Sequence, residues 1–282
     1  MNAQSSIVRF LTALLAASAI VLSLQACGSS DDKKKPNYAE ANVGTLYNQA
    51  MDLLLAQRYK ESAAKFDDVD RQHPYSRWAS RAQLMAAYAK YRDKKYDDAI
   101  IALDRFIQLH PNSRDIAYAR YLKGQAYYEQ IKDIRRDQSA ARQAMRSFEE
   151  LVRRNPDSRY SRDARRKIDL VRDHIAGKEM DVGRFYLKRN RQLAAIGRFR
   201  TVVEKYQTTS HVPEALYRLS AAYAALGVTE EARKIAAVLG YNYPASEWYI
   251  DSYSVVTGKE IKRGKPLEKP VSFTRKVLRW LF

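Results

Sequence analysis

Between residues 43 and 250 apolar side chains recur three and four positions apart, in stretches of about 12 to 16 residues, the period of amphipathic α-helices. The stretches come in pairs, and the pairs repeat. RQHPYS (71–76) and QLHPNS (108–113) place Pro74 and Pro111 37 residues apart, and Tyr59 and Tyr96 in RYKESAAKF (58–66) and KYDDAIIAL (95–103) share that interval. RNPDS (154–158) and YNYPAS (241–246) end two further units. A small residue recurs in the first helix of each unit: Ala50, Ala87, Gly124, Gly183 and Ser220. Another recurs early in the second: Ser62, Ala99, Ala144, Ala195 and Ala232, followed four residues later by Phe66, Leu103, Phe148, Phe199 or Ala236. Antiparallel helices approach closely only where side chains are small, and bulky neighbours fill the space beside them. Proline then stops the second helix, because it lacks the donor and clashes with the preceding turn.

Small residue, aromatic, small residue, aromatic, proline resembles the tetratricopeptide repeat, most closely in LYRLSAAYAALGVTEEA (216–232). The expected fold is all-α: a solenoid of about five tetratricopeptide-like helix pairs, about ten helices, in which neighbouring repeats bury each other's apolar faces. Within EQIKDIRRDQSAAR (129–142) the third repeat carries eight extra residues, polar and expected as a loop. After Pro156 the chain runs helical through 157–190 with one glycine, Gly177, and no proline, which predicts a long helix joining two subdomains, with Gly177 bending or weakening it. Repeats one to three then fall in 43–157, the linker helix with repeats four and five in 158–250, and a basic tail in 251–282.

The amino-terminal pattern differs. Phe10 to Leu24 form an apolar run broken only by Thr and Ser, preceded by Arg9 and ending at LSLQACGSS (22–30). A run of about 15 residues is short of the roughly 20 that span a membrane, and it reads as a secretory signal over residues 1–26. Cys27 is the chain's only cysteine, so neither an intramolecular disulfide nor a two-cysteine metal site is available. LQAC is similar to the bacterial lipobox, which implies lipid on Cys27, and Gly28 in place of Asp implies the outer membrane. The tether from 27 to 42 is polar, and a ten-residue flexible coil spans roughly 17 to 19 Å.

Counted from the small residues, and with first helices lining the inner face of such a solenoid, the inward positions of repeats one to three include Tyr47, Leu54, Tyr88, Tyr91, Tyr118, Tyr121 and Tyr128. Tyr127, Tyr186 and Tyr223 fall instead between helices. A row of tyrosines suits an extended peptide, because the rings give contact area at low rotamer entropy and the hydroxyls pair with backbone groups. The other reading of the same rings is that they cover neighbouring helices.

Charge and chemistry add less. The net charge of +18 comes from basic residues spread along the chain. A periplasmic address leaves lipid headgroups and acidic protein faces as partners and argues against nucleic acid. His73 and His110 occupy the same repeat position, and His174 and His211 lack a companion at ligand spacing, so no metal or other cofactor is expected. There is no phosphate-binding glycine loop and no nucleophile elbow, so the expected protein is not an enzyme.

Residues 66–128, 144–164 and 216–248 resemble the BamD family of outer membrane assembly lipoproteins; DRFIQLHP (104–111) followed by YARYLKG (118–124) is specific to it. The resemblance covers about residues 40 to 250. It implies a scaffold in the machine that inserts β-barrels into the outer membrane, anchored by lipid to the inner leaflet. It further implies amino-terminal repeats that receive unfolded barrel clients, and carboxy-terminal repeats that bind the barrel-forming subunit BamA and accessory lipoproteins. In AAIGRFRTVV (194–203), Arg198 aligns with the family's arginine that meets an acidic residue of BamA; as a residue of a second helix it is also readable as one solvated arginine among many. Two positions depart from the family: Gln207 stands where proline is common, and Gly197 replaces a larger polar residue. The remaining runner-up is a cell-wall lipoprotein for DNA uptake or peptidoglycan binding, supported only by charge. Residues 258–282 lie beyond the resemblance and read in three ways: packed on repeat five, touching lipid or a partner, or mimicking a client.

Overall fold

The computed structural model describes residues 42–258, and these are all helix and short turns. Residues 1–41, with the signal, Cys27 and most of the tether, and 259–282 of the tail lie outside the described residues.

Eleven helices follow one another among the described residues: α1 Val43–Leu55, α2 Tyr59–Gln72, α3 Ala79–Arg92, α4 Tyr96–Leu109, α5 Ile116–Tyr128, α6 Ser139–Arg154, α7 Arg159–Lys188, α8 Gln192–Lys205, α9 Val212–Ala225, α10 Thr229–Asn242 and α11 Glu247–Thr257. Each packs on its neighbours in the chain, and α3 with α5 and α5 with α7 bring the first helices side by side. This is the tetratricopeptide-like solenoid expected, with α11 as one helix more than five pairs. Seven residues assigned to the tail, 251–257, therefore belong to an ordered helix.

The small-and-large rule is literal. Ala50, Ala87, Ala99, Ala144 and Ala195 are fully buried, as are Phe66, Leu103, Phe148 and Phe199. A Cβ on Gly124 would stand 2.5 Å from Phe148 Cε1, and Gly183 meets Phe199 in the same way, so only glycine admits the ring. Where serine replaces alanine, the facing helix takes its hydroxyl. Ser62 donates to the Ala50 carbonyl and Ser220 to the Ala232 carbonyl, each at 2.9 Å.

The turns repeat as well. His73, His110, Asn155, Tyr206 and Tyr243 end their helices with φ between −136° and −127°. Gln207 therefore does not blunt the end of α8, because the backbone at Tyr206 makes the same turn without proline. Between first and second helices the chain passes through a left-handed residue: Gln57, Lys94, Asn190 or Gly227. The third repeat departs, and its extra residues 129–138 form the expected loop.

Helix α7 runs unbroken through Gly177. The bare Cα of Gly177 admits the His211 ring, whose Nε2 would lie 3.1 Å from a Cβ. Nearby, Lys178 Nζ donates to the Arg135 carbonyl of the loop at 2.8 Å, and Ser210 N and Oγ donate to Asp173 Oδ1. The core around Phe148 takes α7 as far as Ile175, and the core around Phe199 takes it from Ala176 onward.

Candidate functional site

The first-helix face of repeats two and three carries the aromatic cluster that the spacing anticipated, with members lost and one gained. Tyr88, Tyr91, Tyr118 and Tyr121 are half-buried. They lie side by side because α3 and α5 are adjacent and each presents one tyrosine per turn. The fifth ring comes from α7: Tyr160 stacks on Tyr121 at 5.3 Å and tilts against Tyr118 at 5.3 Å. Sequence reading counted α7 as a linker and so missed Tyr160, although its first turns occupy the same place as a first helix.

Two of the expected groove residues belong to the core. Tyr47 is 8% exposed and Leu54 9%. Tyr47 sits edge-on to Phe66 at 5.3 Å and against Trp78 at 4.8 Å. Counting along α1 gave the direction of the side chain but not that Trp78, from the turn before the next repeat, covers it. Tyr128 is turned toward Phe148, with Lys167 Nζ 4.4 Å above its ring, so it packs the third repeat and stands apart from the cluster. Tyr127 packs around Phe148, and Tyr186 and Tyr223 around Phe199.

Charged groups fix the rings. Tyr121 Oη donates to Asp163 Oδ2 at 2.6 Å and accepts from Gln125 Nε2 at 3.1 Å. Tyr91 Oη lies 3.4 Å from Glu129 Oε1. Arg92 reaches Tyr88 Oη at 2.8 Å and Tyr59 Oη at 2.6 Å, and Arg159 reaches Tyr160 Oη at 2.6 Å. Burial, with the Glu129 carboxylate adding to it, raises the Tyr91 pKa to about 12. Burial also raises Tyr118, and burial with the Asp163 hydrogen bond raises Tyr121. All three stay neutral phenols at physiological pH. The result is an aromatic floor with carboxylates at two of its hydroxyls and guanidiniums on its rim, suited to binding rather than to proton transfer.

Arg198 lies in the other half, on α8. Its side chain is 45% exposed, and Nη1 is 3.1 Å from Glu179 Oε2 on α7. An incoming carboxylate would share the guanidinium with Glu179. Gly197 beside it has open space around its Cα. One turn further along α7, Arg184 and Arg218 both donate to Glu214, at 3.1 and 2.6 Å, and Arg218 lies over Trp248. That network ties α7, α9 and α11 together.

Among the described residues no group of three or more His, Cys, Asp or Glu could hold a metal ion, and no helix is long and apolar enough to cross a membrane. His174 is partly buried with Nε2 unpartnered, and burial lowers its pKa.

Comparison with known proteins adds a family. The sequence model of the YfiO family, described as an outer membrane lipoprotein, matches residues 39–239. The outer membrane protein assembly factor BamD of Caulobacter vibrioides is 46% identical over 246 residues, covering 86% of this chain and 81% of that protein. The protein of the same name from Rickettsia prowazekii is 46% identical over 247 residues, covering 87% and 97%. That of Neisseria meningitidis serogroup A is 34% identical over 237 residues, covering 80% and 89%.

Proposed function

Because the chain belongs to the BamD family of outer membrane lipoproteins, we propose that it is an outer membrane protein assembly factor acting as a non-enzymatic scaffold of the β-barrel assembly machine. The observation that carries this is the 46% identity to two assembly factors over nearly the whole solenoid. DNA uptake or peptidoglycan attachment gains nothing from it.

Three finer assignments belong to the same reading. Lipid on Cys27 would hold the chain to the periplasmic face of the outer membrane. Tyr88, Tyr91, Tyr118 and Tyr121, with Tyr160, would receive unfolded barrel clients through aromatic side chains; their shared face and fixed hydroxyls support this. Arg198 would meet an acidic residue of the barrel-forming subunit BamA, with accessory lipoproteins bound in the same half. Its exposure supports that, and Glu179 pairs with it at 3.1 Å.

Affinity purification from detergent-solubilised membranes tests the assignment. The chain is expected to bring down the barrel-forming subunit, and Arg198→Glu to reduce its recovery about tenfold or more, as loss of an interfacial charge pair does. Purification without any barrel subunit would overturn the function. Undiminished recovery with Arg198→Glu would overturn only the contact.

A further inference from the structure

The solenoid has two edges, and in repeats one to three they differ in charge. At one edge each second helix ends and the next first helix begins; at the other the two helices of a pair turn into each other. Side-chain contacts put the start of α1 on the first edge. Tyr47, one turn into α1, lies 4.8 Å from Trp78, which follows the turn at His73. Further along, His110 lies 2.8 Å through Nε2 from Gln83 Oε1 of α3, and Arg120 Nη1 of α5 donates to Asn155 Oδ1 at 2.7 Å. The described residues therefore begin at Asn42 beside the turns at His73, His110 and Asn155, and Cys27 stands 15 residues earlier in the chain.

Eleven-residue stretches that start two residues before each of these stops, 71–81, 108–118 and 153–163, hold eight arginines and no lysine, against Asp115, Asp157 and Asp163. Stretches of the same length at the opposite edge, 55–65, 92–102 and 129–139, hold nine Lys or Arg against seven Asp or Glu. The excess charge of this half is thus gathered on the edge from which the tether leaves. Arg71 pairs with Asp68 and Arg154 with Glu150, but Arg77, Arg81, Arg114, Arg153 and Arg162 are exposed and make no ion pair among the described residues. Beside them Tyr75 is 101% exposed. The fold does not require a phenol there, since Asn112 and Asp157 hold the same place in the next two turns. Guanidiniums match phosphate oxygens in pairs, and tyrosine favours the level of the headgroups. We propose that this edge lies on the periplasmic leaflet of the outer membrane and binds anionic phospholipid headgroups, with Tyr75 entering the interface. The inference rests on the membrane address proposed for Cys27. Acyl chains at the end of a tether hold the solenoid near the membrane, and the arginine edge turns one side of it to the surface.

The chain from residue 27 with Cys27→Ser tests this without a covalent lipid, so failure leaves the address of Cys27 standing. It is expected to sediment with vesicles of phosphatidylethanolamine containing about a quarter phosphatidylglycerol, less so at high salt, and not with phosphatidylcholine vesicles. Replacing Arg77, Arg114, Arg153 and Arg162 together by Gln should weaken that binding at least tenfold. Replacing Lys60, Lys94, Lys132 and Arg136 by Gln, the same loss of charge at the opposite edge, should change it less than twofold. Circular dichroism checks that both variants keep the helices. In the same background Tyr75→Cys and Lys60→Cys each carry one thiol for an environment-sensitive dye, and only the dye at Tyr75 should shift to the blue when anionic vesicles are added. No binding by the parent, equal loss from both sets of variants, or equal dye shifts would overturn the proposal. Arginine-dependent binding of polyglutamate without binding of vesicles would also overturn it, making the edge a surface for an acidic protein.

Discussion

Up to Ile175, α7 packs into the core around Phe148 and turns Tyr160 and Asp163 toward a cluster of tyrosines. From Ala176 it packs into the core around Phe199 and turns Glu179 and Arg184 toward ion pairs. The buried sides of the two halves obey the same rule, glycine against phenylalanine. Their free sides differ in emphasis: half-buried tyrosines dominate one, ion pairs to Glu179 and Glu214 the other. Fold therefore resides in the interlocked positions, which are free to repeat, and binding chemistry in the positions that packing leaves unconstrained.

Breaking the shared rule should hurt both halves alike. Phe148→Ala and Phe199→Ala each empty a fully buried ring site and are each expected to cost about 3–5 kcal/mol, read from urea unfolding monitored by circular dichroism. A much smaller loss in one half would show that its core is the looser of the two.

The ion-pair half has a pH signature on the acid side. Burial alone would raise the Glu214 pKa, but hydrogen bonds from Arg218 and Arg184 reverse this and hold it below its ordinary 4.5. A carboxyl whose folded pKa is depressed contributes stability that is complete above its unfolded pKa and is lost as pH falls through the folded one. Glu214→Gln is expected to cost roughly 1.5–3 kcal/mol at neutral pH, and the gap from the parent should narrow below the ordinary 4.5 and close as pH falls through the depressed folded pKa. Unfolding series at several pH values measure it.

Two glycines sharpen the contrast between buried and free positions. Gly124→Ala would drive a methyl into Phe148 and is expected to cost about 1–3 kcal/mol. Gly197→Ala, with nothing within 4 Å, is expected to stabilise by roughly 0.5–1 kcal/mol through helix propensity alone. Thermal melts of the two variants should shift in opposite directions. Smallest and most local is Ser252→Ala, which removes a buried hydroxyl without a partner and should stabilise by about 1 kcal/mol.

What could be read from the sequence follows the same division. Ala50, Gly124, Phe148 and Phe199 announced the helix pairs, because their spacing is set by backbone approach within one repeat. Tyr47 was misplaced because Trp78, from another segment, reaches back over it, and nothing in the local pattern encodes that. Tyr160 was missed for the converse reason, as α7 reads as a continuous linker although its start is also a first helix. Helix α11 was overlooked because the repeat was followed only as far as YNYPAS (241–246), which ends the fifth pair.

The claim that the tyrosine face of α3, α5 and the start of α7 receives unfolded barrel segments is tested most directly by photo-crosslinking in living cells. A photoreactive residue at Tyr88 or Tyr121 is compared with one at Ile101, which is 69% exposed on a second helix. The account predicts that newly made outer membrane proteins are captured from the first two positions and not from Ile101. Capture from none of them, or equally from all three, would contradict it.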